Sequence, residues 1–211
     1  MPQVSGTEGY AEAADFLIDK WQAISFADQH APVMHLIPVK PCKVLDIGAG
    51  IGTDAAALAA MGHTVIAVEP IKKFRTAAIA LHDSDHIEWL DDSLPDLSVL
   101  HRRDERFDLI MLSAVWMHLD EQQRTQTMPR LASLLNESGL LIMSLRHGPI
   151  PHGRRMFEVS AVETIRLAAA EGLETILTVR TESVQEGNRN SGVMWTRLGF
   201  RKTAITIDLL T

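Results

Sequence analysis

One acid followed by three alternating glycines, with a second acid farther along the chain, could bind a nucleoside. Asp46 stands two residues before Gly48 in the stretch DIGAGIG, and Glu69 ends a later apolar run. Glycines allow tight turns and a close backbone approach to a ligand. An acid at the end of such a run can accept both hydrogen bonds of a ribose diol. The pattern therefore predicts a ribose site beside a glycine loop.

The glycine spacing separates this loop from a phosphate-binding loop. Gly48, Gly50 and Gly52 form G-x-G-x-G, whereas a dinucleotide-binding loop has G-x-G-x-x-G and presents a helix N-terminus to pyrophosphate. The carboxylate of Asp46 would oppose a phosphate group but would suit a cation or an ammonium group. The predicted ligand has a ribose, a positive centre and no phosphate. S-adenosylmethionine fits this description.

The elements around the loop form a strand, a turn, a helix and a second strand. An apolar run with β-branched residues predicts the first strand over residues 44–47, and an alanine- and leucine-rich run predicts a helix over 53–61. Helical spacing of apolar residues predicts another helix over 10–29, ahead of this unit. Further strands are predicted over residues 64–68, 86–90, 107–112, 140–145, 173–181 and 193–202, with a polar loop over 182–192.

The ordered motifs resemble those of class I S-adenosylmethionine-dependent methyltransferases. The stretch from Asp46 to Gly52, with Glu69, is similar to the first two motifs of that family, and the similarity continues through Asp91-Asp92-Ser93 and residues 107–119. The resemblance covers roughly residues 40–146. It implies an α/β fold: a Rossmann-like, doubly wound, seven-stranded sheet, mostly parallel, with helices on both faces. The antiparallel last strand would lie between the fifth and the sixth.

The resemblance also implies a domain layout and a set of cofactor contacts. Residues 1–211 are expected to form one domain, with a helical lid over 1–40, a cofactor-binding half over 41–146 and a substrate-side half over 147–211. Either Asp91 or Asp92 would accept a hydrogen bond from the adenine amino group, or would instead cap the following helix. The residues expected to bind the cofactor are Tyr10, Asp46, Gly48, Ala49, Gly50, Gly52, Glu69, Asp91, Asp92, Ser93 and Ser113.

Two histidines are candidate bases because each follows a strand at the edge of the sheet where ligands bind. His118 follows the fourth predicted strand and His147 the fifth. Methyl transfer requires a base only if the nucleophile arrives protonated, and His118 could instead hydrogen-bond neighbouring loops. Trp21 and Trp116 could contact the substrate or fill the core. The sequence has no histidine and cysteine cluster at zinc spacing, so we predict no metal site.

Arginines near the end of the fifth strand indicate an anionic substrate. Arg146 and Arg189 could converge on one pocket together with Arg154 and Arg155, although the last two could be solvated at a helix start. The planar guanidinium matches a carboxylate or a phosphate. We therefore predict a small-molecule acceptor with an anionic group, bound by Arg146 or Arg189.

The bulk properties restrict the partners. The 211 residues carry a formal net charge of −7, which disfavours nucleic acid as a partner. The single cysteine, Cys42, fits a reducing compartment, and no signal peptide or membrane-spanning run is present, so we expect a cytoplasmic monomer or homodimer. Two other readings remain open: a cyclase or lyase that uses the same cofactor, and a regulatory domain that binds it without turnover.

Overall fold

The computed structural model describes residues 4–203, in which seven strands form one twisted sheet. The strand order is β3-β2-β1-β4-β5-β7-β6, with β7 antiparallel to both of its neighbours and the other pairs parallel. The predicted fold class and the insertion of the last strand are confirmed. The strands are β1 Lys43–Ile47, β2 Thr64–Val68, β3 Ile87–Leu90, β4 Phe107–Leu112, β5 Leu135–His147, β6 Leu173–Glu182 and β7 Met194–Lys202.

Helices cover both faces of the sheet because successive residues of its central strands point to opposite sides. Val44 packs against Ala55 and Leu58 in one buried cluster, whereas Leu45 belongs to the cluster that includes Leu131 on the other face. The helices are α1 Ala14–Trp21, α2 Phe26–His30, α3 Thr53–Ala60, α4 Lys72–Leu81, α5 Ser98–His101, α6 Glu121–Leu134, α7 Ala161–Ala170 and α8 Glu186–Asn190.

Side-chain caps set the start of α6 and α7. The Asp120 side chain accepts a hydrogen bond from the Gln123 amide, and the Gln123 side chain accepts one from the Asp120 amide, so α6 begins with a capping box. Ser160 accepts from the Glu163 amide at the start of α7. The Glu163 carboxylate pairs with Arg124 of α6, which ties the two helices together.

Three segments differ from the prediction. The single N-terminal helix is broken into α1 and α2, because Ser25 accepts a hydrogen bond from the Asp28 amide and starts a new helix. Strand β5 begins at Leu135, five residues early, with a register shift that leaves residues 136–139 as a bulge. The polar loop before β7 contains the short helix α8. Within residues 4–203, every helix is too short or too polar to cross a membrane.

Candidate active site

A cavity of about 490 Å³ opens at the carboxyl ends of the parallel strands. It lies where the chain order reverses between β1 and β4, the place at which open α/β sheets bind ligands. Most residues selected from the sequence meet here, although they come from six separate parts of the chain. The predicted residues that line the cavity are Tyr10, Trp21, Asp46, Gly48, Ala49, Gly50, Glu69, Asp92, Ser93, Ser113, His118 and Arg146.

Three backbone N–H groups of the glycine loop donate hydrogen bonds to other atoms of the protein. The amides of Gly48 and Ala49 both donate to the Val68 carbonyl, at 2.8 and 3.0 Å, and the Gly50 amide donates to Glu69 Oε2 at 2.9 Å. Gly48 and Gly50 have φ of 74° and 57°, a left-handed conformation that favours glycine. The loop therefore offers none of these three N–H groups to a phosphate, which agrees with a phosphate-free ligand.

Glu69 is fixed at the end of β2 by two backbone amides. Its Oε1 accepts from the Ile71 amide at 2.7 Å, while Oε2 accepts from Gly50. Burial raises the pKa of Glu69 to about 7, because the loss of hydration outweighs these two hydrogen bonds. Each carboxylate oxygen retains a further lone pair, so the group can still accept two hydrogen bonds from a diol.

Two buried aspartates lie beside the glycine loop. Asp46 is 1% exposed, and its Oδ2 atom has no hydrogen-bond partner among the described residues. Burial, followed by repulsion from Asp54 and Glu69, raises the pKa of Asp46. An orphaned carboxylate oxygen of this kind fits a cationic group of a ligand. We call Asp46, Asp54 and Glu69 the acidic end of the cavity.

Asp54, in the first turn of α3, was not selected from the sequence. His30 Nε2 donates to its Oδ2 atom at 2.8 Å, and the Ser113 hydroxyl donates to the same atom at 2.8 Å. Burial alone would raise the pKa of Asp54, but the charge and hydrogen bonds of these partners lower it. The feature of the sequence that could have identified Asp54 is the presence of an acid within the alanine-rich stretch TDAAALAA. Asp54 thereby connects α2, α3 and the residue that follows β4.

The adjacent aspartates after β3 have different surroundings. Asp92 lines the cavity, and its carboxylate accepts hydrogen bonds from the amides of Ser93, Val99 and Leu100 at 2.8 to 2.9 Å. Asp91 is exposed and pairs with Arg75 at 2.7 Å. Asp92 therefore lies at the cavity and Asp91 does not. The Ser93 amide is occupied by its hydrogen bond to Asp92.

The N-terminal segment contacts His118 through the side chain of Tyr10. His118 Nδ1 donates to the Arg155 carbonyl at 2.8 Å, which leaves Nε2 to accept the hydroxyl proton of Tyr10 at 3.1 Å. Burial lowers the pKa of His118 and raises that of Tyr10, so both groups are neutral near pH 7. The guanidinium carbon of Arg154 lies 3.8 Å from the centre of the Tyr10 ring. Arg154 therefore contacts the site, contrary to its reading as a solvated residue.

Three arginines also line the cavity. Arg146 comes from β5, Arg154 from the segment after β5 and Arg197 from β7. We call these residues the basic end of the cavity. The sequence analysis did not select Arg197 as a site residue, although an arginine within the apolar run MWTRLGF could have indicated one.

Besides Asp91, the structure places four of the candidate residues outside the cavity lining. Trp116 is fully buried in the core and donates to Thr164, so it does not face the cavity. His147 bonds Thr196 at 2.8 Å and lines a separate cavity of about 300 Å³. Arg189 donates to the carbonyls of Ser183 and Val184, which occupies its guanidinium locally. Gly52 has φ of 84° and packs under Trp89, where an added Cβ would come within 2.5 Å of the ring.

Sequence and structure comparisons place this arrangement among known proteins. Residues 44–139 match the family described as "Methyltransferase domain". These residues contain the glycine loop, Glu69 and the strand that leads to His118. Over these residues, the chain is similar to methyltransferase domains.

One relative matches part of this chain in sequence. An uncharacterized methyltransferase of Alkaliphilus oremlandii is 33% identical over 100 residues, which span 47% of this chain and 44% of the relative. This chain therefore matches less than half of that relative's length.

Two solved structures also resemble the domain. The 1,6-didemethyltoxoflavin-N1-methyltransferase of Burkholderia thailandensis has a TM-score of 0.68 and 23% identity, over 97% of this chain and 93% of its own. The N-methyltransferase NodS of Bradyrhizobium japonicum, in complex with S-adenosyl-L-homocysteine, has a TM-score of 0.68 and 17% identity, over 90% of this chain and 98% of its own.

Proposed function

We propose that the chain transfers a methyl group from S-adenosylmethionine to a small acceptor that carries an anionic group. The observation that supports this most directly is the presence of acidic and basic side chains in the lining of one cavity. The acidic end offers the unpartnered Asp46 Oδ2 atom to a cation, and the basic end offers arginines to an anion. A single cavity of about 490 Å³ has room for a nucleoside and a small second molecule.

The residues of the acidic end fit S-adenosylmethionine. Glu69 would accept the ribose hydroxyls, and Asp46 would face the positive charge of the methionine end. Asp92 has one carboxylate lone pair left after its three backbone hydrogen bonds, which would serve the adenine amino group. When bound, S-adenosylmethionine supplies a methyl carbon that its sulfonium has already activated. The protein therefore needs only to orient the acceptor, exclude water and take up a proton.

Tyr10 and His118 form the proton-accepting group of this proposal. The His118 tautomer is fixed by the Arg155 carbonyl, so its free lone pair faces the Tyr10 hydroxyl. A protonated acceptor would give its proton to Tyr10 Oη while the tyrosine proton moves to His118 Nε2. Since burial lowers the pKa of His118, the histidine is neutral and ready to accept near pH 7. Tyr10 also closes the cavity, which supports the role of the N-terminal segment as a lid.

The ligand bound to one structural relative supports the proposed size of the acceptor. The Burkholderia thailandensis structure holds 1,6-didemethyltoxoflavin together with S-adenosylhomocysteine. That protein therefore binds a small heterocycle beside the spent cofactor. The same architecture in this chain, with arginines lining the acceptor side, supports a small acceptor that bears a negative charge.

The test is incubation with methyl-labelled S-adenosylmethionine and fractionated metabolite extracts. We expect S-adenosylhomocysteine to accumulate in step with a labelled small molecule, and we expect that molecule to be retained by an anion exchanger. Loss of the cofactor's thioether without a labelled acceptor would indicate a cyclase or lyase. Cofactor binding without turnover in any fraction would indicate a regulatory domain, and either result would refute the proposal.

A further inference from the structure

Two arginines of this fold are almost fully buried, and their surroundings differ. Arg124 of α6 is 4% exposed and pairs with Glu163 at 2.8 Å, while its Nη1 atom donates to the Leu119 carbonyl at 2.7 Å. Arg197 of β7 is 6% exposed, and its buried Nε atom has no partner among residues 4–203. A buried guanidinium without an anion is costly, because the lost hydration is not replaced.

Arg197 has no ion-pair partner within the described part of the chain. Asp54 is the acid whose charge acts on it, but the two do not form a salt bridge. The guanidinium carbon lies 5.4 Å from the centre of the Trp195 ring, which restricts its motion. Arg197 also lines the cavity, so an anionic group bound in the cavity could reach its guanidinium.

The register of the sheet surrounds Arg197 with groups suited to a bound molecule. Ser144 of β5 lies directly opposite Arg197, and Arg146 lies opposite Trp195. Residues two apart on a strand face the same side, so these four residues form one block on one face of β5 and β7. All four line the cavity. The loop before β7 adds the neutral hydrogen-bonding side chains of Ser183, Gln185 and Asn188 to the lining.

We propose that Arg197 recognises a carboxylate of the methyl acceptor. This inference rests on the proposed function, because it assigns the anionic group of that acceptor to one residue. A carboxylate matches the guanidinium fork and carries one negative charge, which balances one buried arginine. A phosphate dianion would bring a second charge toward Asp54, whose own negative charge would oppose it. The position of Arg197 on β7, two strands from β4, separates it from the glycine loop.

The experiment measures the binding of simple carboxylates to the protein saturated with S-adenosylhomocysteine. The probes are aliphatic and aromatic monocarboxylates, including acetate and benzoate, each paired with its neutral primary amide. Wild-type protein should bind at least one carboxylate about tenfold or more tightly than its amide, since charge-assisted hydrogen bonds dominate that difference. The Arg197→Met variant should lose this preference, and Arg197→Lys should retain part of it. Arg201→Met is the control, because Arg201 lies on the same strand but is exposed.

A thermal measurement distinguishes a ligand-binding arginine from a structural one. Arg197→Met should leave the unfolding midpoint of the ligand-free protein unchanged or raise it, because it removes an unpaired buried charge. Arg124→Met should lower the midpoint, because it leaves Glu163 without its partner. A fall in the midpoint for Arg197→Met as large as that for Arg124→Met would overturn the inference.

Each binding outcome either supports or overturns the inference. Equal affinity of wild-type protein for carboxylates and amides, or a carboxylate preference that survives in Arg197→Met, would overturn it. A loss of S-adenosylhomocysteine affinity in Arg197→Met would also overturn it, because the recognised carboxylate would then belong to the cofactor. If wild-type protein fails to bind S-adenosylhomocysteine, the proposed function itself fails, which is a separate result.

Discussion

The acidic end and the basic end of the cavity differ in how their charges are stabilised. Glu69 is held by two backbone amides, and Asp54 is held by His30 and Ser113. At the basic end, Arg154 stacks on Tyr10 and Arg197 on Trp195, and each keeps a buried nitrogen without a partner in the described residues.

This difference indicates how much of each end is organised before a ligand arrives. The acidic end owes its geometry to the loop and helix that follow β1, so its carboxylates stay in place when the cavity is empty of ligand. At the basic end, Arg154 and Arg197 are positioned by stacking and keep hydrogen-bonding capacity for an anion, whereas Arg146 donates to the Pro149 carbonyl at 2.9 Å. Asp46 is the exception at the acidic end, because its Oδ2 atom has no hydrogen-bond partner among the described residues and can accept from a cationic group.

The largest expected effect is a loss of turnover without a comparable loss of cofactor affinity. The Tyr10→Phe and His118→Asn variants should each lower turnover by about 10²- to 10⁴-fold, the usual contribution of general base catalysis. Affinity for S-adenosylhomocysteine should change much less, because neither residue belongs to the acidic end. The matched control is His147→Asn, since His147 lies outside the main cavity. Equal turnover in Tyr10→Phe and wild-type protein would show that the acceptor needs no base from this pair.

The next effect tests whether the acidic end holds the ribose. We expect Glu69→Ala to weaken S-adenosylhomocysteine binding about a hundredfold, because two hydrogen bonds to a charged group are lost. Calorimetric titration provides the measurement. Asp91→Ala serves as the control, because that exposed carboxylate pairs with Arg75 away from the cavity. A larger loss for Asp91→Ala than for Glu69→Ala would reverse the assignment of these acids.

A smaller effect follows from the protonation of Glu69. Its pKa of about 7 means that the carboxylate is mostly protonated at pH 6 and mostly ionised at pH 8. Because a ribose diol donates to the ionised form, S-adenosylhomocysteine affinity should be about tenfold higher at pH 8 than at pH 6. Titration in buffers of different ionisation enthalpy should detect proton release near pH 6. Glu69→Gln should remove most of this dependence, and an unchanged profile in that variant would assign it to another group.

The same raised pKa has the opposite effect on the stability of the ligand-free protein. The folded state holds a proton that the unfolded chain releases above the ordinary value of 4.5. The resulting stabilisation is complete below that pH and is lost as the pH rises through about 7. Thermal unfolding of wild-type protein and of Glu69→Gln at several pH values measures the difference. The slope that remains in the variant comes from the other groups with shifted pKa values, among them Asp46, whose pKa burial raises, and His118, whose pKa burial lowers.

The smallest effect concerns the loop that borders the basic end. Arg189→Met should lower the free energy of unfolding by about 1 kcal/mol, because its hydrogen bonds to Ser183 and Val184 are lost. The carboxylate preference of the protein should weaken less than in Arg197→Met, since Arg189 positions the loop without lining the cavity. Hydrogen exchange of residues 183–192 would locate the change. Loss of the whole preference in Arg189→Met would place that arginine at the ligand, as the sequence suggested.

The sequence determined the parts of this protein whose neighbours in space are neighbours in the chain. Asp46, the glycine loop and Glu69 lie within one βαβ unit, so their spacing alone indicated a nucleoside site without phosphate. The strands were also predicted from local patterns, because an apolar run acts locally. The resemblance of these motifs to one family then supplied the strand order.

Only the tertiary structure decided the contacts that join distant segments. Tyr10 meets His118 across 108 residues, and Ser113 meets Asp54 across 59. Arg197 faces the cavity because β7 inserts beside β5, whereas Trp116 turns into the core and Arg189 bonds its own loop. The sequence alone does not distinguish an arginine or a tryptophan in the core from one on the surface or in a binding site. Its environment is set by packing between segments, which local sequence patterns do not encode.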